Sequence, residues 1–401
     1  MTRRHRVPLW MMGLTNLTYG FYGGVVAFAV PQLLGDRHRF SETAIAGLTA
    51  ISFSPGFWAF LLSPVLDVRF SRRWYATVLA VVSAVTLVVA FLNLNHLILL
   101  EIVLTVGFFA AYLYQSAIGG WLASITTGDE EKTLSIWMVV GNTSGFGIMA
   151  IGCNQLVHHF SPLTAALILA AVTLLPIAVF PFMQAPGADR RLASESFPQF
   201  LGDLVALVKR REVLIAIVLF ITPAGTFSLT NFLGAHGNQF HASPGFVGLI
   251  GGIGVVLGGL CGSLSFRPLS RLMPTRPLYL TIGLVGGLGT LALTLLPHTP
   301  VSFAVIVVTE NIVQSLAITV SIAIAFQAIG RDNPLASTTF CAINSAYGVP
   351  ISYMLYVDAF GFRHGGIAGS LTVDALAGIV ASLLMGLMLF RLSRKQKLET
   401  V

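Results

Sequence analysis

The sequence is poor in charge. Asp, Glu, Lys and Arg make up only 10% of its 401 residues, whereas 55% of the residues are hydrophobic. A typical soluble domain carries about 25% charged residues, so a soluble chain of this composition could not cover its surface. The composition therefore excludes an ordinary soluble globular protein and favours a chain surrounded by lipid.

Cysteine is also scarce, and the motifs of common enzymes are missing. Cys153, Cys261 and Cys341 all fall inside apolar segments, so the sequence implies no disulfide framework. The chain has no clustered His and Asp set, no phosphate-cradling loop and no nucleophile motif. We therefore expect a protein that is not an enzyme and that needs no metal and no cofactor, only a proton motive force.

Long apolar segments recur along the whole chain. A helix needs about 20 mostly apolar residues to cross a bilayer. Segments of this kind lie at residues 8–34, 43–66, 74–94, 98–125, 133–157, 162–183, 213–236, 245–266, 277–296, 301–327, 336–357 and 366–391. The sequence thus predicts an all-α membrane protein with twelve transmembrane helices in two six-helix pseudo-symmetric halves. The predicted halves are residues 1–183 and 213–401, joined by a linker at 184–212.

The linker carries an apolar stripe at helical spacing. Its members are Phe197, Phe200, Leu201, Leu204, Leu207 and Val208. Charged residues lie off the stripe or at its end, which is the pattern of an amphipathic helix lying on a membrane surface. We predict such a helix on the cytoplasmic face.

The basic residues are distributed unevenly between the two sides of the predicted bundle. With the N-terminus in the cytoplasm, twenty of the 23 Lys and Arg residues lie in inner segments. Only Arg37, Arg39 and Arg363 lie in outer loops, and none lies inside a span, since Arg391 stands at the inner end of the last one. This positive-inside bias predicts that both termini are cytoplasmic. It also accounts for the net charge of +7 without a nucleic-acid partner.

Polar side chains concentrate in the first, fourth, seventh and tenth spans, with more in the fifth and eleventh. The candidate substrate-binding residues are Asn16, Tyr19, Tyr22, Tyr112, Gln115, Asn142, Asn231, Asn311, Gln314, Asn344 and Tyr347. Polar groups in lipid are costly, so they should face protein or a water-filled cavity. We predict that they line a central cavity for a small-molecule substrate, although helix packing would explain each of them equally well.

Glu310 is the most informative single residue. It lies close to the middle of the tenth span, with Gln314 one turn further on the same face. No cation lies in any span to neutralise Glu310, and burial disfavours the charged form of a carboxyl group. Glu310 is therefore a candidate proton carrier; the alternative is a permanently protonated side chain bonded between helices. Asp374 and Glu101, in the outer parts of spans, are further proton-coupling candidates, whereas Asp358 is expected in an outer loop.

Glycines recur at a spacing of four residues in three spans. They are Gly141 and Gly145, then Gly254, Gly258 and Gly262, then Gly283 and Gly287. This spacing lets helix backbones approach closely. The pattern predicts close helix contacts, which could serve static packing or a sliding surface for alternating access.

The turn after the second span carries an acid followed by arginines. It reads Asp67-Val68-Arg69-Phe70-Ser71-Arg72-Arg73. We predict a cytoplasmic gate formed by Asp67, Arg69 and Arg73, worth about 1 kcal/mol because partly exposed ion pairs are weak. The corresponding turn of the second half keeps Arg267 and Arg271 but has no acid, so any gate is asymmetric.

Two six-helix halves joined by a long loop resemble the layout of the major facilitator fold. A more specific resemblance lies in Pro31-Gln32-Leu33-Leu34, Ile45-Ala46-Gly47-Leu48, Ser54-Pro55-Gly56-Phe57-Trp58 and Ser63-Pro64-Val65-Leu66-Asp67. These stretches resemble the AmpG-type muropeptide permeases, relatives of the acetyl-CoA transporters in the major facilitator superfamily. Here Val68 separates Asp67 from Arg69, which the family joins directly.

The resemblance implies a proton-driven symporter in the bacterial inner membrane. Its relatives import N-acetylglucosamine–anhydro-N-acetylmuramyl peptides, so muropeptide-like or other amphiphilic solutes are the implied cargo. A proton-driven exporter of drugs or metabolites fits Glu310 equally well, and a transport-inactive membrane sensor is a more remote alternative. An organic-phosphate exchanger is disfavoured, because it would require an arginine near the membrane midplane. We expect a monomer.

Overall fold

The computed structural model describes residues 7–36, 40–185, 202, 205–206, 209–225, 228–330 and 333–399. Within these residues the regular structure is helical and no strand occurs. The apolar residues of the predicted linker helix all lie outside the described residues. That helix therefore stays a prediction.

The chain forms two compact units. The first comprises Met1–Leu214 together with Ala325–Ser345, and the second comprises Ile215–Ile324 together with Ala346–Val401. A short piece from the C-terminal part of the sequence thus packs with the N-terminal helices. The predicted division at 183 and 213 stays a prediction about the two halves of the fold.

The helices are numbered here in chain order. Up to residue 185 they are α1 (Leu9–Leu14), α2 (Leu17–Gly24), α3 (Val30–Asp36), α4 (Glu42–Phe53), α5 (Pro55–Trp58), α6 (Arg72–Leu92), α7 (Leu97–Ile125), α8 (Asp129–His159) and α9 (Pro162–Leu174). Later helices are α10 (Arg211–Ile221), α11 (Ser228–Ala235), α12 (Pro244–Leu272), α13 (Thr275–Leu293), α14 (Pro300–Ile329) and α15 (Ala336–Glu399). A π-helical turn joins α2 to α3, and 3-10 turns follow α5, α9 and α11; these turns are Val25–Ala29, Ala59–Leu61, Ser63–Asp67, Leu175–Phe182 and Gly237–Phe240.

Serine side chains define where several helices begin. The hydroxyls that accept a backbone N–H of the first turn belong to Ser41, Ser71, Ser161 and Ser243. Such a cap satisfies one of the N–H groups that a helix start leaves without a partner. Pro162 and Pro244 directly follow two of these serines, at the position where proline fits a helix best. The serine caps between the apolar segments, two of them followed by proline, therefore set where these helices begin.

Ten helical segments among the described residues are long and apolar enough to cross a membrane. The seventh predicted span is instead divided into α10 and α11, with Pro223 in the non-helical backbone at 222–225. The last two predicted spans form α15, which is interrupted by non-helical backbone at Gly365 and Gly366. Gly366 has φ 58°, a conformation that glycine adopts without steric cost. The predicted fold class, two six-helix halves of an all-α membrane protein, is confirmed.

The prediction for Asp358 was wrong. It was expected in an outer loop beyond residue 357, but the helix continues past it to the kink at Gly365. Asp358 is 0% exposed and accepts a hydrogen bond from Ser228. A polar partner from another helix lets the carboxyl group remain inside the helix bundle, which a hydropathy pattern along one segment does not show.

The glycine pattern corresponds to close contacts between helix backbones. A Cβ atom added to Gly258 would lie 2.7 Å from the backbone of Asn311, and one at Gly262 would overlap the carbonyl oxygen of Ile312. In the first unit, a Cβ atom at Gly145 would lie 2.8 Å from the backbone of Gly20. These contacts confirm the predicted close approach of α12 to α14 and of α8 to α2.

Candidate functional site

The first unit contains a polar cluster between α7 and α15. The amide nitrogen Nδ2 of Asn344 donates to the Tyr112 hydroxyl at 3.3 Å and to Gln115 Oε1 at 3.1 Å. The Tyr112 hydroxyl also lies 3.2 Å from Ser345 Oγ. Tyr112 and Gln115 meet the same partner because they are three residues apart on one helix face. The structure thus brings together three of the predicted substrate-binding residues.

The two tyrosines of α2 have different surroundings. The Tyr19 ring extends the cluster, since its centroid lies 6.0 Å from the Tyr112 ring in an edge-on arrangement. Tyr22 is fully buried, and its hydroxyl lies 3.1 Å from Thr86 of α6. Tyr22 therefore packs α2 against α6 and is not part of the cluster around Tyr112.

Two asparagines of the first unit carry oxygen atoms without a donor. Asn16 donates to the carbonyl oxygen of Met138 at 3.0 Å, but its Oδ1 atom is buried and has no partner among the described residues. Asn142 Oδ1 is in the same condition. A buried polar atom without a hydrogen bond is costly. Both oxygen atoms therefore lack a hydrogen-bond donor within the described part of the first unit.

Asp67 forms the centre of a buried polar junction within the first unit. Its side chain is fully buried and forms an ion pair with Arg72, with Oδ1 2.9 Å from one guanidinium nitrogen. Its carboxylate also accepts the backbone N–H groups of Ser337 and Thr338 at 3.2 and 2.8 Å and the Thr338 hydroxyl at 2.7 Å. Asp67 thus caps the start of α15, where the helix dipole favours a negative charge.

The arginine of this junction differs from the two that were selected from the sequence. Arg72 pairs with Asp67 and also donates to the carbonyl oxygen of Pro334 at 3.1 Å. Arg69 has φ 69° and lies over the Phe70 ring, and Arg73 forms no ion pair in the described part of the chain. Arg72 faces inward because Ser71 caps α6 and makes Arg72 the first helical residue, whereas the left-handed backbone of Arg69 turns that side chain away.

Glu310 lies near the middle of α14, inside the second unit. It is 6% exposed, and its Oε1 atom accepts a hydrogen bond of 2.5 Å from the Thr290 hydroxyl of α13. The neighbouring Asn311 donates at 2.8 Å to the carbonyl oxygen of Val307 in its own helix. Asn311 also packs against Gly258, so it serves the contact between α12 and α14.

Three further predicted substrate-binding residues lie in the second unit and differ in their hydrogen bonds and exposure. Gln314 accepts a hydrogen bond of 3.2 Å from Thr230, but its buried Nε2 atom has no partner among the described residues. Asn231 is exposed. The Tyr347 hydroxyl donates at 2.5 Å to the carbonyl oxygen of Gly225, beside the break between α10 and α11. Of these residues, Gln314 and Asn231 keep amide groups available for a bound solute.

The acidic candidates divide between the two units. Asp374 lies in α15 of the second unit, and its buried Oδ1 atom has no hydrogen-bond partner among the described residues. Glu101 lies in the second turn of α7 in the first unit and is partly exposed. Asp358 was not among the acids selected from the sequence. The same C-terminal half also carries Glu310 and Asp374, and this grouping of acids in apolar segments could have indicated it. No group of three or more His, Cys, Asp or Glu side chains among the described residues could hold a metal ion.

Comparisons with known proteins agree with the helical architecture. The family model described as "Major Facilitator Superfamily" matches residues 12–333. The human organic anion transporter MFSD10 (TETRAN) is 15% identical and has a TM-score of 0.67, with 96% of this chain and 100% of that chain covered. FucP in the outward conformation is 13% identical, with a TM-score of 0.67 over 96% of this chain and 99% of that one. A double tryptophan mutant of XylE is 13% identical, with a TM-score of 0.70 over 94% of both chains.

A search of curated protein sequences finds no significant match. The similarity to the solved structures, at 13–15% identity, shows the fold alone. The family model covers most of the sequence, and the family consists of transporters and not of enzymes. With its membrane-spanning helices and its match over residues 12–333, the chain belongs to the Major Facilitator Superfamily.

Proposed function

We propose that this chain is a proton-coupled secondary transporter that imports an amphiphilic small solute by alternating access. The main support is Glu310, a buried carboxyl group near the middle of α14 whose Oε1 atom accepts from the Thr290 hydroxyl. The predicted spans contain no Lys, and their one Arg is Arg391, the last residue of the last span, so no basic side chain lies near the middle of a span to hold Glu310 in its charged form. An ionisable group in that position can gain and lose a proton as the transporter cycles.

The polar cluster of the first unit is the proposed solute site. Tyr19 and Tyr112 offer aromatic faces, and Gln115 and Asn344 offer amide groups. The unpartnered Oδ1 atoms of Asn16 and Asn142 could accept hydrogen bonds from hydroxyl or acetamide groups. This combination suits an acetylated sugar carrying a peptide, in accordance with the resemblance to muropeptide permeases.

We further propose a bacterial inner-membrane location with both termini in the cytoplasm. The supporting observation is the excess of Lys and Arg in the predicted inner segments, twenty against three. In this orientation the buried junction around Asp67 and Arg72 is the cytoplasmic gate. Residues 1–183 and 213–401 would then be the two moving halves of a monomer.

Reconstituted transport tests the proposal. The purified chain in proteoliposomes should accumulate a labelled N-acetylglucosamine–anhydro-N-acetylmuramyl peptide under an inward proton gradient. Glu310→Gln should abolish this accumulation but retain exchange of labelled for unlabelled solute without a gradient, because amide and protonated carboxyl groups have similar shapes. Asp129→Asn is the matched control, since Asp129 is 99% exposed and pairs with Lys132 outside the bundle core.

The same vesicles separate the competing functions. Gradient-driven accumulation by Glu310→Gln at the wild-type rate would refute the coupling role of that residue. If the muropeptide is not moved and a drug or metabolite is expelled against its gradient when protons enter, the chain is an exporter. Movement of no solute in a broad panel would favour a sensor.

A further inference from the structure

Two aspartates of α15 meet inside the second unit. Asp358 and Asp374 lie on opposite sides of the kink in α15, so the helix turns back and places its two arms side by side. The arms touch closely, because a Cβ atom at Gly361 would lie 2.5 Å from the carbonyl oxygen of Gly369. The same Cβ atom would meet the Val373 side chain, so the turn that carries Asp358 packs against the turn that carries Asp374.

Two carboxyl oxygen atoms of this pair have no hydrogen-bond donor among the described residues. Asp358 is 0% exposed; its Oδ2 atom accepts a hydrogen bond from Ser228, but its buried Oδ1 atom has no donor among the described residues. The Oδ1 atom of Asp374 is also buried and lacks a donor there. An ionised carboxylate can only accept hydrogen bonds. Two ionised groups would therefore leave both oxygens unsatisfied and would also repel each other.

No Lys or Arg side chain in the described part of the chain forms an ion pair with either aspartate. Glu310 lies close to the pair, because a Cβ atom at Gly287 of α13 would lie 2.9 Å from the carbonyl oxygen of Ala375, and Thr290, one turn after Gly287, donates to Glu310. The α13 helix contributes the Thr290 hydroxyl, which donates to Glu310, and its charged residue Arg276 lies at the opposite end, in the first turn. Other titratable or basic side chains along the packed helices, near the end of α11 and at the kink of α15, are His236, Arg363 and His364. The His236 ring stacks on Phe232, and Arg363 and His364 are exposed.

We propose that Asp358 and Asp374 hold one shared proton and form a second proton-binding site next to Glu310. A single proton turns one of the facing oxygens into a donor, which satisfies both and removes the like-charge contact. A proton fits better than a metal ion, because no set of three or more ligating side chains is present among the described residues. The inference deepens the proposed proton coupling, yet the bound proton can be observed without any solute.

Infrared spectroscopy of the purified chain tests this site directly. The carbonyl stretch of a protonated carboxylic acid is separate from the bands of carboxylates and amides, and it shifts in heavy water. A pH titration of the wild type should show two buried acids losing their protons, one from the aspartate pair and one from Glu310. The double variant Asp358→Asn/Asp374→Asn should remove the first signal and keep the second, whereas each single variant should shift the first signal because one buried acid remains.

Glu310→Gln provides the reciprocal measurement, because it should remove only the second signal. Asp129→Asn is the matched control and should leave both buried signals unchanged. The failure of one proposal is therefore distinguishable from the failure of the other: transport can be independent of Glu310 while the pair still binds its proton. The wild-type spectrum alone keeps the test decisive if an Asp variant does not fold.

Two results would overturn the inference. One is the loss of the whole buried-acid signal of the wild type when Glu310 is replaced in Glu310→Gln, since the aspartate pair would then hold no proton. The other is loss of the pair's signal at constant pH when choline chloride is replaced by sodium chloride, which would make the pair a metal-cation site. A pair signal that depends on pH, survives sodium, shifts in each single Asp variant and is lost in the double variant supports the shared proton.

Discussion

Removal of the Asp67 charge should open the junction that it forms with α15. Asp67→Asn keeps the size of the side chain but leaves the Arg72 guanidinium buried without its carboxylate. Both side chains are at most 1% exposed, so solvent does not screen their interaction. The same change weakens the cap on the backbone N–H groups of Ser337 and Thr338. The segment Ala325–Ser345 should therefore separate more often from the rest of the first unit.

The size of the effect follows from burial. Removal of one partner from a buried ion pair typically costs about 3–5 kcal/mol. Each 1.4 kcal/mol changes an equilibrium tenfold, so the open population should rise by roughly two to three and a half orders of magnitude. An exposed pair contributes about 0–1 kcal/mol, so Asp129→Asn should change the same population by less than about fivefold.

Cys341 reports this opening. It lies in the same segment and is 0% exposed, so a maleimide can reach it only in open molecules. In a background with Cys153→Ser and Cys261→Ser, the labelling rate of Cys341 at low reagent should follow the open population. The measurement compares wild type, Asp67→Asn and Asp129→Asn in the same detergent. Equal labelling rates for the two Asn variants would refute the assignment of Asp67 as the centre of the junction.

Two further predictions concern helix packing. Gly258→Ala should lower the thermal stability of the purified protein by about 1–3 kcal/mol, because the new methyl group overlaps the facing backbone of α14. Gly251→Ala in the same helix should be neutral or slightly stabilising, since nothing lies within 4 Å of its Cβ position; equal losses would contradict the close contact at Gly258. Trp121→Phe should lower the stability of the purified protein by about 1 kcal/mol, because it loses the hydrogen bond of 2.9 Å to the carbonyl oxygen of Gln184. The cavity left by the smaller ring should lower the stability further. The half-exposed Trp58→Phe is its control in the same melting assay, and a similar loss there would count against that role of Trp121.

Some features of the fold were readable from the sequence because they depend on local composition. Apolar runs of the required length predicted most spans, and Glu310 stood out because it interrupts one of them. The division of the seventh span at Pro223 was not evident from hydropathy, because the apolar average over a window hides a short break. The continuation of α15 past Asp358 was missed for a related reason: one charged residue lowers the average and moves the apparent end of a span.

Features that depend on partners distant in the chain could not be read in this way. The choice of Arg72 over Arg69 and Arg73 depends on the phase of α6 after the Ser71 cap and on the backbone of residues 333 and 334, which receive the guanidinium. The pairing of Asp358 depends on Ser228, which is 130 residues away. The sequence indicates which residue types are available, and the packing of helices decides which of them meet.

The cap that Asp67 provides for α15 also has a consequence for the order in which the chain is synthesised and folded. The backbone groups that it caps lie 270 and 271 residues downstream, so a ribosome releases the cap long before the helix it serves. Until the segment at 337–338 arrives, Asp67 has Arg72 as its neighbour but no helix start to bind. The eleventh span accordingly gains a completed N-terminus only when it docks on helices inserted much earlier.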